Sequence, residues 1–486
     1  MVEEKNPEEA AAEFRRAKIV CTLGPACDTP ESLDALLEAG MDVARLNFSH
    51  GTHLEHARRL RLVHRLARQR GRTLAVLQDL QGPKIRTGPL QGGGPVELKQ
   101  NSRITLTTRP VRGNAQLIST GFRPLPREVR PGSRILVSDG RLELRVERVS
   151  GRDIICRVVE GGELGEHQGI NLPGLALNIS ALTPKDREDL TFAVRQGVDY
   201  VALSFVRSPD DILELKRYLA RAGREIPVVA KLEKPQAIDR LEEILNVADA
   251  VMVARGDLGV ELPPESVPVM QKRIIARANA LKVPVIVATQ MLESMTEHSR
   301  PTRAEASDVA NAIFDGADAL MLSAETATGQ YPVEAVRMMA RIISAAEGSP
   351  RYAWYRRRRF ADEELTVPEA VGQSAAQMAE ELNLKAVAVF TQSGSSARLV
   401  SKYRPRVPVF AFSPLPQILR RTALYWGVEP LHMPHVKSTD RMVEGAAHLL
   451  RARGVVQPGD LIAVLAGTPI ARRGTTNLLK VHRIEK

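Results

Sequence analysis

The 486-residue sequence is 43% hydrophobic, which supplies a large core spread over two to four domains. Its three cysteines are too few for a disulfide framework, and its charged start lacks the apolar stretch of a signal peptide. No apolar run reaches the ~18 residues that are needed to cross a bilayer, so we expect a soluble cytoplasmic protein. The net charge of +11 is compatible with nucleic-acid binding, but the arginines are scattered along helical patterns and the run at 356–359 has no aromatic motif beside it, which favours a solvated surface.

Residues 1–17 are predicted to form an N-terminal helical segment. Short apolar runs then alternate with amphipathic helical patterns at the spacing of βαβ units. The runs are KIVCTLG (18–24), VARLNFSHG (43–51), LAVLQDLQG (74–82), YVALSFVR (200–207), VVAKLEK (228–234), AVMVARGD (250–257), VPVIVATQM (283–291) and ALMLSAET (319–326). Eight strands that are apolar on both faces predict a (β/α)8 TIM barrel over 18–82 and 184–350. A doubly wound open sheet is the alternative, ranked lower because polar residues end nearly every strand.

The alternation is interrupted at 83–183, where short strand-like pieces separated by Pro/Gly turns predict an inserted small β-barrel domain. Because it follows a barrel strand, this domain would lie over the active face as a lid. The composition changes again near 351. We expect a C-terminal α/β regulatory domain over 351–486, with a helix at 368–382 and strands at 385–390, 407–413 and 460–467.

Polar residues follow most of the barrel strands, and the carboxyl ends of barrel strands meet at one face. They are Arg45, Asn47, Ser49, Asp79, Lys231, Glu233, Gly256, Asp257, Thr289, Ser323 and Glu325. Glu233 and Asp257 offer hard oxygen ligands for Mg²⁺ or Mn²⁺. Lys231, which shares a strand face with Glu233, would bind an anion with several oxygens together with Arg45. The set predicts phosphoryl transfer or metal-assisted enolate formation, against the alternative of structural salt bridges at strand ends.

Several long motifs occur in a fixed order along the chain. They are RLNFSHG, LQDLQGPKIRTG, NLPG, VVAKLEKPQA, MVARGDLGVELP, VATQMLESM, RPTRAEASDVANAIFDGADALMLSAETATGQYPVEAV and TQSGSSARLVSKYRP. Together they resemble the pyruvate kinase family from about residue 17 to near the C-terminus. The resemblance implies the glycolytic transfer of a phosphoryl group from phosphoenolpyruvate to ADP, giving pyruvate and ATP. It also implies a homotetramer that binds neither nucleic acid nor membrane.

The family's roles, carried onto matching positions, give each strand-end residue a task. Glu233 and Asp257 resemble the ligands of the divalent metal, and Lys231 resembles the cation that stabilises the phosphoryl group in transfer. The remaining roles are a phosphate clamp at Arg45, substrate-carboxylate binding at Gly256, Asp257 and Thr289, nucleotide contacts at Asn47, His50 and Arg86, and a water or hydroxyl relay near Thr289 and Ser323 that protonates the enolate.

Two departures from the family pattern carry expectations of their own. The monovalent-cation site of the family matches Asn47, Ser49, Asp79 and the backbone of Leu80. Lys84 stands where potassium-dependent members have a glutamate, so we expect its ammonium to replace K⁺ as the partner of Asp79 and the enzyme to work without K⁺. An ordinary surface lysine is the alternative. Gln168 stands where many relatives have a lysine that reaches the nucleotide phosphate from the lid, which puts that contact in doubt.

A loop of hydroxyl residues opens a helix in the C-terminal region. It comprises Thr391, Ser393, Gly394, Ser395 and Ser396, and it matches the family's allosteric phosphate-binding loop. Free N–H groups at a helix start bind anions, so a sugar phosphate or AMP is the expected activator, with the loop at 467–477 closing over it. A plain helix cap is the alternative.

Two rival functions stay open. A lyase or aldolase of pyruvate-like acids would use Lys231 as a Schiff-base nucleophile, although the neighbouring carboxylates favour the ammonium form. A basic nucleic-acid binder would leave the strand-end carboxylates without a purpose, because they repel phosphate.

Overall fold

The computed structural model describes residues 15–175, 180–350, 352, 364–436, 438–469 and 476–485. Most of the predicted N-terminal helical segment and the arginine run at 356–359 therefore lie outside the described residues. Residues 15–17, which are described, are not helical. No helix among the described residues is both long enough and apolar enough to span a membrane.

Strands and helices alternate along most of the described chain. The strands are β1 (Lys18–Thr22), β2 (Val43–Asn47), β3 (Ala75–Asp79), β4 (Ile85–Arg86), β5 (Val96–Leu98), β6 (Arg103–Thr107), β7 (Leu117–Ser119), β8 (Arg134–Val137), β9 (Leu142–Ser150), β10 (Asp153–Glu160), β11 (Gly162–Leu164), β12 (Gly169–Asn171), β13 (Tyr200–Leu203), β14 (Val228–Leu232), β15 (Ala250–Ala254), β16 (Val285–Ala288), β17 (Ala319–Leu322), β18 (Ala386–Phe390), β19 (Val409–Ser413), β20 (Val428–His432), β21 (Leu461–Gly467) and β22 (Thr476–Arg483). The α-helices are α1 (Pro30–Ala39), α2 (His53–Gln69), α3 (Leu125–Glu128), α4 (Pro184–Gln196), α5 (Pro209–Arg221), α6 (Pro235–Asp239), α7 (Leu241–Val247), α8 (Arg255–Glu261), α9 (Val267–Ala280), α10 (Arg303–Asp315), α11 (Ala324–Ala327), α12 (Pro332–Gly348), α13 (Val367–Glu381), α14 (Ser395–Lys402), α15 (Pro416–Thr422) and α16 (Thr439–Ala452).

The eight predicted barrel strands form a closed parallel barrel in the order β1-β17-β16-β15-β14-β13-β3-β2. This confirms the barrel and excludes the open-sheet alternative for these strands. Each strand is buried along nearly its whole length because one face fills the barrel interior and the other packs on helices. The helices start where the sequence supplies a cap: Thr52 Oγ1 accepts from Glu55 N, and Glu55 Oε2 accepts from Thr52 N at 2.7 Å.

The insertion forms a seven-stranded sheet in the order β4-β12-β8-β9-β10-β6-β7, with the pair β11-β5 beside it. An isolated bridge between Thr87 and Thr120 joins the first strand of this sheet to the last. Its strands pair antiparallel, except that β6 and β7 run parallel. The insertion touches the carboxyl end of the barrel through Asn171, whose amide lies 3.4 Å from Glu261 on α8.

The C-terminal sheet has the order β20-β19-β18-β21-β22, and helices α13 to α16 accompany it. Its first four strands are parallel, as predicted for an α/β unit, and β22 pairs antiparallel with β21. Strands β20 and β22 are additional to the predicted set. The boundaries placed at 83, 184 and 351 stay predictions.

Candidate active site

Lys231 lies near the end of β14 at the centre of the site. Its Nζ is 2.9 Å from Glu233 Oε1 and 3.3 Å from Asp79 Oδ1, and it donates a 2.8 Å hydrogen bond to Ser204 Oγ. Only 12% of the Lys231 side chain is exposed, while both carboxylates are buried. The predicted pairing of Lys231 with Glu233 is thus present, although Glu233 follows the last residue of β14, and Asp79 joins the pair from β3.

The charges of this cluster are strongly coupled. Burial lowers the pKa of Lys231, but the Asp79 and Glu233 carboxylates outweigh burial and the pKa lies above its ordinary value. Burial also acts to raise the pKa of Asp79, yet Lys231 and Arg45 bring it below its usual range. The pKa of Glu233 is raised by burial and by the nearby Asp257 carboxylate, against the pull of Lys231. Lys231 is therefore a fixed ammonium that is paired with two buried carboxylates.

Arg45, at the third position of β2, is the second cation of the site. Its Nε lies 2.7 Å from Asp79 Oδ2, and one Nη donates to Thr22 Oγ1 at 2.9 Å. Arg45 is itself 8% exposed. Two buried cations thus flank one buried aspartate at the mouth of the barrel.

Two positioning residues were missed by the sequence reasoning. Ser204 accepts from Lys231 and donates to the Leu80 carbonyl at 2.7 Å, and Thr22 holds Arg45. Thr22 ends the first barrel strand and Ser204 directly follows the fourth, so the rule that selected the other strand-end residues also covers these two. A single hydroxyl residue at a strand end is also common in ordinary turns, so its position alone does not mark it as a site residue.

Gly256 and Asp257 lie in the first turn of α8 rather than at the end of β15, which stops at Ala254. The Gly256 N–H donates to Thr289 Oγ1 at 2.8 Å, which places the residues predicted to bind the substrate carboxylate in direct contact. Thr289 has a φ of +68°, an unusual backbone conformation for a threonine. A guanidinium N–H of Arg255 donates to the Thr289 carbonyl at 2.7 Å and braces that turn.

Ser323 follows the eighth barrel strand, and its Oγ is buried without a hydrogen-bond partner among the described residues. Glu325, the other predicted polar residue of this strand, accepts from the Ser323 N–H at 2.6 Å and from the Leu292 N–H at 3.1 Å. Glu325 therefore shapes the backbone, while the Ser323 hydroxyl is free to bind a substrate group or water.

The predicted nucleotide residues lie around the same mouth. Asn47 Oδ1 accepts from the Ser49 N–H at 3.1 Å, which fixes the turn after β2. Burial lowers the pKa of His50, and the charges of Arg86, Lys84 and Arg45 lower it further.

Lys84 differs from its expected position. Asp79 forms its ion pairs with Arg45 and Lys231, whereas Lys84 makes no ion pair with any described residue. The loop that opens the insertion carries Lys84, and its side chain packs beside Gly169. Gln168 contacts Ser138 and the Glu166 carbonyl within the insertion, at 3.3 Å each.

The loop before α14 has the geometry of an ordered turn. Gly394 has a φ of +88°, and its N–H donates to Thr391 Oγ1 at 2.9 Å. Ser393 and Ser395 are hydrogen bonded through their hydroxyls at 2.9 Å, and Ser396 contacts Thr476 at 2.5 Å. The second predicted loop is described only at its base, because 470–475 lie outside the described residues.

Glu233 and Asp257 could hold a divalent metal ion. Glu233 Oε1 is buried and, although close to Lys231, has no hydrogen bond of good geometry. The carboxylate oxygens of these two residues suit Mg²⁺ or Mn²⁺, which commonly take one or two protein carboxylates and leave their other positions to water and substrate oxygens. The described part of the chain contains no cluster of three or more His, Cys, Asp or Glu side chains that could hold a metal ion.

Comparison with known proteins identifies the family. A family model for the pyruvate kinase barrel domain matches residues 14–336, and one for the pyruvate kinase alpha/beta domain matches residues 369–482. The chain belongs to the pyruvate kinase family. It is 47% identical over 477 residues to pyruvate kinase 2 of Synechocystis sp., with 97% of this chain and 80% of that protein covered.

Other pyruvate kinases are similar over their whole length. Identity to the pyruvate kinase of Mycobacterium intracellulare is 47% over 470 residues, with 97% of this chain and 98% of that protein covered. The crystal structure of a pyruvate kinase from Cryptosporidium parvum superimposes with a TM-score of 0.92 at 36% identity, covering 98% of this chain and 97% of that one. The similarity to pyruvate kinases therefore extends over the barrel, the insertion and the C-terminal sheet.

Proposed function

We propose that this chain is a pyruvate kinase that transfers the phosphoryl group of phosphoenolpyruvate to ADP in glycolysis, giving pyruvate and ATP. The observation that carries the proposal is the buried Lys231 ammonium, held between Asp79 and Glu233. Phosphoryl transfer needs fixed positive charge where three oxygens carry developing negative charge. A lysine fixed by two carboxylates and a hydroxyl supplies such a charge without reorganising during the reaction.

The other residues of the site complete the proposed mechanism. Arg45 would clamp the phosphate, and the Gly256 and Asp257 backbone with the Thr289 hydroxyl would orient the substrate carboxylate. Glu233 and Asp257 would hold Mg²⁺ or Mn²⁺, which supplies positive charge to the phosphoryl and enolate oxygens when bound. The Thr289 and Ser323 hydroxyls would deliver the proton that converts the enolate to pyruvate, either directly or through water.

The nucleotide would lie on the side of the site that carries Asn47, His50 and Arg86. Arg86 donates to the His167 carbonyl at 3.0 Å, which holds its guanidinium near the mouth while leaving other N–H groups for phosphate.

Potassium is not required in this proposal. Asp79 already has two cationic partners, so its charge is balanced without a diffusing ion. Lys84 adds a positive charge near His50 where potassium-dependent relatives place a carboxylate. The sequence also predicts K⁺ independence, but with Lys84 as the partner of Asp79. In this proposal the negative charge of Asp79 is balanced by Arg45 and Lys231 instead.

Activation by a phosphorylated metabolite, a sugar phosphate or AMP, would occur at the loop of Thr391, Ser393, Gly394, Ser395 and Ser396. Tyr425 lies under this loop: a Cβ built on Gly394 would be 3.5 Å from its hydroxyl. Tyr425 also interacts with Tyr200, the first residue of β13, and Ser204 follows that strand. Tyr425 and Tyr200 thus connect the loop to the barrel strand that precedes Ser204. A homotetramer and a cytoplasmic location are part of the proposal and rest on family resemblance alone.

The lyase alternative is weaker because Schiff-base formation needs a neutral amine, and the pKa of Lys231 is raised. The test is a coupled assay of pyruvate formation from phosphoenolpyruvate and ADP with Mg²⁺ or with EDTA. We expect metal-dependent pyruvate and equimolar ATP. Absence of turnover would overturn the proposal, and a borohydride-trapped pyruvate adduct at Lys231 would favour the lyase.

A further inference from the structure

The turn at 47–52 joins β2 to α2 and carries three residues of the proposed site. Asn47 ends β2, Ser49 follows shortly after it, and the side chain of His50 is exposed. The positions of these side chains depend on the backbone of the turn. Whatever holds this backbone in place therefore affects how well the nucleotide would bind.

The first half of the turn is fixed by the barrel and by α4. The Phe48 N–H donates to the Asp79 carbonyl at 2.9 Å, and the Phe48 carbonyl accepts from Lys185 Nζ at 2.9 Å. The His50 N–H donates to the Asn47 carbonyl at 3.2 Å, which closes the turn on itself. These bonds do not restrain the His50 carbonyl.

A buried histidine of α2 holds the second half of the turn. His56 Nε2 lies 2.9 Å from the His50 carbonyl oxygen, and His56 is only 2% exposed. Because a carbonyl oxygen can only accept, the ring proton is on Nε2, which donates. The His56 N–H donates to the Thr52 carbonyl at 3.0 Å, which anchors the residue in the helix. The His50 carbonyl is thus tied to a regular element of the barrel.

Aromatic packing orients the ring of His56. The ring stacks on Phe48 with 4.3 Å between the ring centroids and 18° between the planes. Phe48 in turn meets Phe192 of α4 edge-on, at 5.1 Å and 63°. Such contacts set the plane of the imidazole and so the direction of its Nε2–H. His56 therefore holds the turn in two ways, through the side chain of Phe48 and through the carbonyl of His50.

The other nitrogen of this imidazole explains why a histidine at this position needs a reason. His56 Nδ1 is buried and makes no hydrogen bond with any described residue. Burial lowers the pKa of His56, against the His50 carbonyl, which favours the protonated ring. A buried polar atom without a partner is unfavourable, and a leucine or phenylalanine would avoid it. The Nε2–H donor is what those residues would lack.

We propose that His56 is a positioning residue for the nucleotide, whose Nε2–H fixes the His50 carbonyl and with it the turn that meets ADP. The inference rests on the proposed function and deepens it, because it assigns nucleotide affinity to a residue that does not touch the nucleotide. Without this bond the turn is less ordered before binding, and ordering it weakens the affinity for ADP. The chemical step is unaffected, since Lys231 and Thr289 lie on other elements.

Two substitutions separate the donor from the ring. His56→Phe keeps an aromatic ring against Phe48 and removes the donor, while His56→Gln keeps an N–H donor in place of Nε2 and removes the ring. His56→Leu, which is smaller than phenylalanine and also lacks a donor, covers the case in which phenylalanine does not fit. The matched control is His64→Phe, about 12 Å further along α2. His64 is also partly buried and has a ring nitrogen without a partner among the described residues.

The test is steady-state kinetics of pyruvate formation with ADP and phosphoenolpyruvate varied in turn. We expect His56→Phe and His56→Leu to raise the KM for ADP by about fivefold or more, with kcat and the KM for phosphoenolpyruvate within about twofold. His56→Gln and His64→Phe should stay within about twofold of the full chain in all three constants.

Three results would overturn the inference. They are an unchanged KM for ADP in His56→Phe and His56→Leu, a His56→Gln variant as impaired as His56→Phe, and a parallel change of kcat and both KM values. If the full chain lacked turnover, the catalytic proposal would fail, but calorimetric titration with MgADP would still decide this inference. Weaker binding to His56→Phe than to His64→Phe would support it, and equal binding would overturn it.

Discussion

Lys231 is held by partners that differ in how visible they are in the sequence. Glu233 follows from strand alternation, and Asp79 follows from the convergence of barrel strands once the barrel is predicted. Ser204 does not, because one serine after an apolar strand is also an ordinary turn residue. The charged part of the site was therefore predictable from the sequence, while the neutral groups that orient it are visible only in the folded structure.

Ser204→Ala tests this orientation. The variant removes the buried hydroxyl that accepts a hydrogen bond from the Lys231 ammonium. Loss of a hydrogen bond to a charged group costs about 1.5–3 kcal/mol, and Lys231 is then free to turn toward the carboxylates. We expect kcat to fall roughly 10- to 100-fold with the KM for phosphoenolpyruvate changed less than threefold, as measured by steady-state kinetics. Ser204→Thr, which retains the hydroxyl, should recover most of the activity. A loss confined to KM, or to thermal stability, would contradict the positioning role.

The Lys84→Glu variant tests whether the enzyme requires K⁺. Activity in tetramethylammonium buffer should be within about threefold of activity in KCl, because the charges around Asp79 are balanced without K⁺. Lys84→Glu adds a carboxylate at the mouth and should produce at least tenfold activation by K⁺. Strong K⁺ activation of the unaltered chain would refute the idea, and so would a Lys84→Glu variant indifferent to the ion.

At the scale of elements, apolar runs predicted the eight barrel strands well because a strand buried on both faces leaves an unbroken hydrophobic signature. The strand ends were extended too far: the polar residues that follow β14 and β15 belong to turns and to α8. Strand β20, VEPLH, and the edge strand β22, TNLLKVHR, were missed because polar residues interrupt their hydrophobic pattern. The sequence indicates burial more directly than it indicates backbone pairing.

The turn between β1 and α1 depends on close backbone contact. A Cβ on Gly24 would lie 2.5 Å from the Ala327 carbonyl oxygen at the end of α11. Gly24→Ala should therefore displace one of the two elements and destabilise the protein by about 1–3 kcal/mol, seen as a lower Tm by calorimetry. Gly94→Ala is the matched control, because a Cβ there meets no atom within 4 Å and φ is not positive. An equal Tm for the two variants would show that the contact is absent.

At the scale of the whole molecule, buried ion pairs join the barrel to the C-terminal sheet. Asp318, just before β17, contacts Lys402 at 2.6 Å and Arg404 at 2.8 Å, and all three side chains are almost completely buried. Asp199, just before β13, contacts Arg420 of α15 at 2.8 Å. These pairs fix one arrangement of the two units, since separating them would leave buried charges unpaired.

Asp199 gives this junction a pH dependence. Burial raises its pKa from the ordinary 3.8 to about 6, although Arg420 opposes the rise. The folded protein therefore binds a proton more tightly than the unfolded chain, and the stability that this proton provides is lost as pH rises from about 4 to about 6.

Asp199→Asn removes that titration. Its stability relative to the unaltered chain should rise across the same pH window by an amount on the order of 2–3 kcal/mol, measured by Tm in a pH series. Glu225→Gln, an exposed change near the same junction, should show no such trend. A constant difference between the Asp199 variant and the unaltered chain from pH 4 to pH 6.5 would rule out this role for Asp199.

The most direct measurement is the kcat for pyruvate formation in Lys231→Met compared with Lys234→Met. Both variants remove a lysine ammonium, but only Lys231 lies between Asp79 and Glu233, while Lys234 is paired with Glu261 at 2.6 Å. A fixed charge at the transferring phosphoryl group predicts a loss of at least ~10²–10³-fold for Lys231→Met and less than tenfold for Lys234→Met. Activity of Lys231→Met within threefold of the unaltered chain would contradict the account.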